Sequence, residues 1–400
     1  MKKVPKLRFK EFTGEWEEKR LGDIAKFSKG KLISKEDIAE IGIECIRYGE
    51  LYTTYKEVID KTVSKTNLEN SQLVFSEKND IIIPSSGETA IDIAKASCVI
   101  RSGIALGGDL NILKTLKNGI FLSYYMNNKL KYQIASLAQG ASVVHLYENH
   151  LKLLKLNIPE SLEEQEKIAN FISSVDKKIS LTEEKLELFK NYKKGIMQKI
   201  FSQKLRFKDE NGNDYPEWEE IEIGKILTER KEYSEKNENY PHFSLTKDGV
   251  LPKSERYERD FLVKDDEKMY KITHLNDICY NPANLKFGVI CKNNLGSGIF
   301  SPIYITFIVH KGVNANYLDL YIKYSDFIKR ARKYEEGTVY ERMAVKCSDF
   351  IKVKVNLPCL EEQEKIANFL SSIDEKIEKI ENEVENLKEF KKGLLQRLFV

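Results

Sequence analysis

Leu162-Glu163-Glu164-Gln165-Glu166-Lys167-Ile168-Ala169-Asn170-Phe171 recurs letter for letter as Leu360-Glu361-Glu362-Gln363-Glu364-Lys365-Ile366-Ala367-Asn368-Phe369. The likeness runs on to Phe201 and Phe399, with 23 identities in 40 positions, and takes in Lys193-Lys194-Gly195 against Lys391-Lys392-Gly393. Chance does not produce such a match. The chain is internally duplicated, and every other reading starts from that repeat.

Both copies read as long helices. Neither contains a proline, and Glu, Lys, Leu, Ile and Gln dominate them. Pro159 and Pro358 stand just upstream, where a helix can begin. Ile172, Val175, Ile179, Thr182, Leu186, Phe189, Lys193, Ile196 and Ile200 follow a 3-4-3-4 spacing, as do Leu370, Ile373, Ile377, Ile380, Val384, Leu387, Lys391, Leu394 and Leu398. Matching heptad seams on two helices of one chain predict that they pack together as a coiled coil. At ~1.5 Å per residue each helix is on the order of 60 Å long. Two unrelated amphipathic core helices leave the near-identical seams unexplained.

Composition sets outer limits. Four hundred residues make two or three domains, each with material for a core. Cys45, Cys98, Cys279, Cys291, Cys347 and Cys359 form no C-x-x-C pair and no metal spacing. With no apolar signal segment after Met1-Lys2-Lys3, they read as reduced core thiols of a cytoplasmic protein. No apolar run approaches a membrane-spanning length. The formal net charge of +3 is small, so nucleic-acid binding must come from local patches.

The repeat is larger than its helices. Leu7-Arg8-Phe9-Lys10 returns as Leu205-Arg206-Phe207-Lys208, and Glu15-Trp16-Glu17-Glu18 as Glu217-Trp218-Glu219-Glu220, so the only two tryptophans occupy matching places. Leu21-Gly22-Asp23-Ile24 answers Ile223-Gly224-Lys225-Ile226. The expected organisation is a globular region at 1–158, a helical spacer at 159–204, a second globular region at 205–357 and a second spacer at 358–400. Units this long exceed solenoid repeats, so the chain reads as a pseudo-two-fold monomer.

The two globular regions have diverged, yet a skeleton persists. Asn79-Asp80-Ile81-Ile82-Ile83-Pro84 matches Asn276-Asp277-Ile278-Cys279-Tyr280-Asn281, a turn followed by a buried strand. Ile112-Leu113 and Tyr304–Val309 predict further strands. Helices are expected at about 119–137 and 316–332, each ending towards a glycine-bearing loop, Gln139-Gly140-Ala141-Ser142 or Glu336-Gly337-Thr338-Val339. Strand-like segments at 153–159 and 352–358 close each region. The fold class is α+β, with mixed sheets and helices in two domains and a long helix after each.

The apparent catalytic signatures fail on inspection. Gly30-Lys31 resembles the end of a phosphate loop, but Leu32 stands where Ser or Thr must hold magnesium. Asn281-Pro282-Ala283-Asn284 shares Asn-Pro with the Asn-Pro-Pro-aromatic element of amino-methyltransferases, but lacks the second proline and the aromatic. Gly107-Gly108-Asp109-Leu110 reads as a turn. His145, His150, His242, His274 and His310 form no ligand spacing, so no metal is expected. Asp265-Asp266-Glu267 reads as a solvated face. The chain by itself is expected to transfer no methyl group and to hydrolyse neither ATP nor DNA.

What remains is binding. The globular parts proper, about 22–158 and 224–357, carry about +2 and +5, a modest lean towards anionic partners. Basic, amide and aromatic residues interleave at the expected turns. Arg and Lys grip phosphates or guanine edges, and Asn or Gln pair with adenine. The candidate DNA-contacting residues are Arg47, Tyr48, Ser85, Ser86, Thr89, Gln139, Ser142 and His145 in the first region. In the second they are Lys247, Asn281, Asn284, Lys286, Thr338, Tyr340 and Arg342. Each is also an ordinary surface residue on the plainest reading.

Two variable regions that alternate with two repeated helices, each introduced by Pro and Leu-Glu-Glu-Gln (Pro159, Leu162–Gln165; Pro358, Leu360–Gln363), resemble the specificity subunit of type I restriction-modification systems. Gly288, Ser301-Pro302 and Tyr304 resemble the recognition-domain pattern of that family. The resemblance covers nearly the whole chain. It implies two target-recognition domains held apart by an antiparallel helix pair, each reading one half of a split double-stranded DNA sequence. It also implies a non-catalytic subunit that binds no cofactor. Two methyltransferase subunits and restriction/translocase subunits would carry the S-adenosylmethionine, ATP and Mg. Two other readings stand beside it. A stand-alone methyltransferase or nuclease needs the motifs that are missing, and a coiled-coil scaffold leaves the two diverged loop-rich regions without purpose.

Overall fold

The computed structural model describes residues 4–236, 239–247, 249–253, 269–335 and 343–400. The chain forms two compact units, one of Met1–Glu184 with Glu381–Val400 and the other of Lys185–Ile380. Neither is one copy of the sequence repeat. Each gathers a globular region, the first part of the helix that follows it and the last part of the other long helix. The two helices are Leu162–Phe201 and Leu360–Leu398.

In the first unit the run Asp80–Pro84 is buried on both faces, so it can only be a central strand. It lies between Leu110–Thr115 and Ser97–Val99 in a sheet that Ala25–Lys29 and Val58–Ile59 complete at the edges. A second sheet runs Ala105–Leu106, Ile43–Ile46, Ser64–Thr66, Ile38–Ala39. The expected helix at 119–137 forms with a π turn at Met126–Leu130 between Gly119–Tyr125 and Lys131–Ser136. That turn carries Asn127, whose amide bonds both the N–H and the carbonyl of Ala96.

The second unit repeats the plan with different contents. Ile278–Tyr280 lies between Ile305–Val309 and Ile290–Lys292, with Leu227–Glu229 at the edge. Tyr233–Ser234, Tyr270–Thr273 and Gly298–Phe300 make another sheet. The helix expected at 316–332 is two helices, Ala315–Lys323 and Ser325–Ala331, because Tyr324 is extended. The break turns the Tyr324 ring towards Phe201, centroids 5.3 Å apart. The closing strands also form as expected, Lys155–Ile158 against Glu17–Arg20 and Lys354–Leu357 against Glu219–Glu222, both antiparallel.

The repeated Leu-Glu-Glu-Gln letters have a structural cause. Glu164, 2% exposed, accepts Arg8 Nε and Nη2 at 2.8 Å and Trp16 Nε1 at 3.2 Å. Glu362, fully buried, accepts Arg206 Nη2 at 2.8 Å and Trp218 Nε1 at 2.9 Å. Gln165 donates to Pro159 O and accepts from Asn118 N, while Gln363 donates to Pro358 O and accepts from Asn314 N. Asn118 and Asn314 in turn cap the helices directly after them. One motif thus fastens the entry segment of its globular region, its own helix and a second helix.

Within each unit the two long helices pack along the expected seam. Ile172, Val175 and Ile179 are buried in the first unit's core with Leu394 and Leu398. Leu370 and Ile373 are buried in the second unit's core beside Ile200. Asp176 meets Lys391 at 2.7 Å and Glu183 meets Lys388 at 2.7 Å, so residue numbers run in opposite directions and the pair is antiparallel. In the second unit Lys193 meets Asp374 at 2.5 Å, the same pair with the copies exchanged. These explain the two lysines on an apolar seam, since a slip in register leaves each unpaired. Phe399 ends edge-on against Phe121 and Tyr125, and Phe201 against Tyr317 and Tyr321.

Candidate nucleic-acid interface

In both units several of the described candidate residues, Ser85 and Ser86 in the first and Asn281 and Asn284 in the second, follow the end of the central strand. Each strand is preceded by a left-handed asparagine, Asn79 (φ 82°) or Asn276 (φ 69°). Past the strand's far end the two units diverge.

In the first unit Ser86-Gly87 pairs antiparallel with Val144-His145, and Gln139 exchanges backbone hydrogen bonds with His145 at 3.0 and 2.7 Å. Gln139, Ser142 and His145 lie on this loop, and all three are exposed. Gly140 (φ 128°) permits its tightness, because a Cβ there would lie 2.0 Å from the Val143 carbonyl. Ser85 and Ser86 are buried, at 4% and 5% exposure, and form the platform beneath His145. Thr89 is exposed and caps Ala90–Ile93 by accepting from Asp92 N. Arg47 and Tyr48 begin the helix Tyr48–Thr53, where the Arg47 guanidinium is held by Glu50 at 3.0 Å. The Tyr52 ring of that helix packs beside Gly87, which brings the helix to the Ser86–His145 platform. Burial pushes the Tyr52 phenol up, and Tyr48, Glu88 and Asp92 reinforce the shift. Sequence reading missed Tyr52 and Glu88; the four-residue spacing of Tyr48 and Tyr52 on one helical face was the available signal. A carboxylate in this place can accept from a cytosine amino group.

In the second unit a cleft of 320 Å³ is lined by Leu245, Thr246, Lys247, Asn281, Asn284, Phe287, Val289 and Tyr304. It unites three residues separated by up to 37 positions in sequence, Lys247, Asn281 and Asn284. Asn281 is 6% exposed and its Oδ1 accepts from Ala283 N, whereas Asn284 is exposed. Lys286 lies outside the lining with its Nζ 5.2 Å from the Phe287 ring. Thr338, Tyr340 and Arg342 fall outside the described residues. The chain just beyond them is tied to this turn, Val345 N donating to Pro282 O and Tyr280 OH to Val345 O. Phe287 was missed by sequence reading, since a lone aromatic beside a glycine gives no periodic signal.

Two of the motifs set aside as non-catalytic have structural roles, whereas Asp265-Asp266-Glu267 lies outside the described residues. A Cβ at Gly30 would lie 2.0 Å from the Gly107 carbonyl, so this glycine allows two backbones to touch. Asp109 sits in a left-handed turn at φ 58°. Among the described residues no group of His, Cys, Asp or Glu could hold a metal ion, and no helix is long and apolar enough to cross a membrane.

A family model for the type I restriction modification DNA specificity domain matches residues 13–191 and again 200–389. The chain belongs to this family. The specificity-domain chain is 27% identical over 430 residues to a provisional type I restriction enzyme MjaX specificity subunit of Methanocaldococcus jannaschii, covering 98% of this chain and 95% of the relative. It is 25% identical over 423 residues to the MjaVIII specificity subunit of the same organism, covering 98% and 94%. In fold it is similar to the crystal structure of a type I restriction-modification S subunit from M. genitalium, with a TM-score of 0.62, 17% identity and 99% of each chain covered. The expected duplication of a specificity domain, the α+β class and the long helices therefore hold.

Proposed function

We propose that this chain is the specificity subunit of a type I restriction-modification complex and that its two clusters each read one half of a split, asymmetric duplex DNA sequence. The observation that supports this reading is the placement of unlike contents on a like frame. The same strand end carries the Ser86–His145 platform in one unit and the Lys247–Asn281–Asn284 cleft in the other. Two readers built alike for different half-sites need that difference. The chain is a specificity subunit and not a catalytic one, in keeping with its family and its named relatives. Two methyltransferase subunits would bring S-adenosylmethionine, and restriction/translocase subunits would bring ATP and Mg, in the cytoplasm.

Affinity selection from random duplex DNA, with the chain assembled on its methyltransferase subunits, is expected to return one bipartite sequence that survives raised salt. Nonspecific phosphate contacts fade with salt, so a scaffold would return none. Asn284→Ala is expected to relax preference in one half-site only, by about 1–3 kcal/mol where the amide pairs with adenine. His145→Ala is expected to act only on the other. Uniform weakening on all sequences would reduce these residues to phosphate contacts.

The helices are proposed as a ruler. One heptad added to each lengthens an α-helix by about 10 Å, roughly three base pairs at 3.4 Å, and keeps the seam in phase. Selection from a spacer-randomised pool is expected to return the same half-sites with a longer spacer. An unchanged spacer in a folded variant would remove the ruler role.

A further inference from the structure

We propose that Phe287 is a wedge, inserted between two stacked base pairs of the half-site read by the second unit. The proposal rests on the DNA-reading function above and adds to it a distortion of the duplex. An exposed apolar side chain alone says little. Phe287 is singled out by how it is held and what surrounds it. Its ring is 67% exposed at the tip of the turn Leu285–Phe287, whose first residue is fully buried as an anchor. The turn is closed by Phe287 N to Asn284 O at 3.0 Å, Gly288 N to Leu285 O at 2.8 Å and Val289 N to Asn284 O at 3.3 Å. Gly288 exits in the left-handed region at φ 78°, where a side chain would be strained. The ring is thus presented by a preformed turn, and little ordering cost is left for binding.

Its neighbours match a nucleic acid. Phe287 forms one wall of the cleft that holds Asn281, Asn284 and Lys247, and the Lys286 ammonium lies 5.2 Å from its ring. A base step offers this arrangement a π face for the ring, base edges for the amides and phosphates for the lysines. Apolar wedges flanked by basic and amide residues are the side-chain set that unstacks and kinks duplex DNA. A hydrophobic protein partner would meet those amides and lysines without matching groups.

The test uses the full chain assembled with its methyltransferase subunits and the target sequence returned by selection. 2-Aminopurine, which brightens when unstacked, is placed in turn at each position of the second half-site. Binding is expected to brighten it at one step. Phe287→Ala should abolish that rise and weaken target binding about tenfold. Phe287→Leu, which keeps an apolar wedge, should retain most of the rise. The denaturant midpoint of Phe287→Ala should be unchanged, because the ring is exposed. No brightening at any position, or brightening that persists in Phe287→Ala, overturns the wedge while sequence-specific binding stands. So does a Phe287→Ala chain that keeps its DNA behaviour but fails to assemble with the methyltransferase, as that would make the ring a protein contact. A failure to select any sequence would instead strike the reading on which the wedge rests.

Discussion

Glu362→Ala is expected to lower the unfolding free energy by about 3–5 kcal/mol, the usual cost of breaking a buried ion pair from one side. The carboxylate is fully buried and accepts from both Arg206 and the Trp218 indole. Alanine leaves both donors facing a cavity. The Arg206 side chain is 19% exposed and also reaches the Pro216 carbonyl, so water and that carbonyl recover part of the loss. The lower half of the range is therefore expected. Urea unfolding of the single variant, of Arg206→Met and of the double variant tests the assignment. The double variant should cost clearly less than the sum of the two, since coupled partners are not additive. Strict additivity would show that the pair is not the anchor. Glu164 offers the same experiment in the first unit through Arg8 and Trp16.

Phe399→Ala is expected to cost a similar ~3–5 kcal/mol in the first unit. The ring is 2% exposed, with centroids 5.5 Å from both Phe121 and Tyr125. Trp16 lies 5.8 Å from Phe121, so its fluorescence reports on that core. In a chain whose other tryptophan is replaced by phenylalanine, the Trp16 unfolding midpoint should fall sharply for Phe399→Ala. Phe201→Ala should produce the matching fall at Trp218 in the reciprocal background, because both Phe201 and Trp218 pack on Tyr317. A Trp16 midpoint that ignores Phe399 would mean that the helix end is not part of the first unit's core.

Much of this molecule is legible in its letters because it was written twice. Identity between Leu162–Phe171 and Leu360–Phe369 marks the repeat, and proline-free, Glu-, Lys- and Leu-rich composition marks both copies as helices. The heptad spacing then marks their shared face, because an apolar seam has to repeat with the helix. The apolar run Ile81-Ile82-Ile83 likewise announces a central strand, since only a strand covered on both faces can be so uniformly apolar.

The tertiary structure alone decided the rest. Nothing local says that Glu164 and Glu362 are buried hubs, because a glutamate in the first turn of a helix is normally solvated there. Their role depends on Arg8 and Trp16, or Arg206 and Trp218, which lie 144 to 156 residues upstream. The division into units is also a tertiary fact, for it cuts both helices and lends each globular region the tail of the other copy. The cleft that joins Lys247 to Asn281 and Asn284 is of the same kind. Sequence determined the repeat, the seam and the strands, because their signals are periodic and short-range. The hubs, the units and the cleft came only from tertiary structure, because long-range packing leaves no spacing to read.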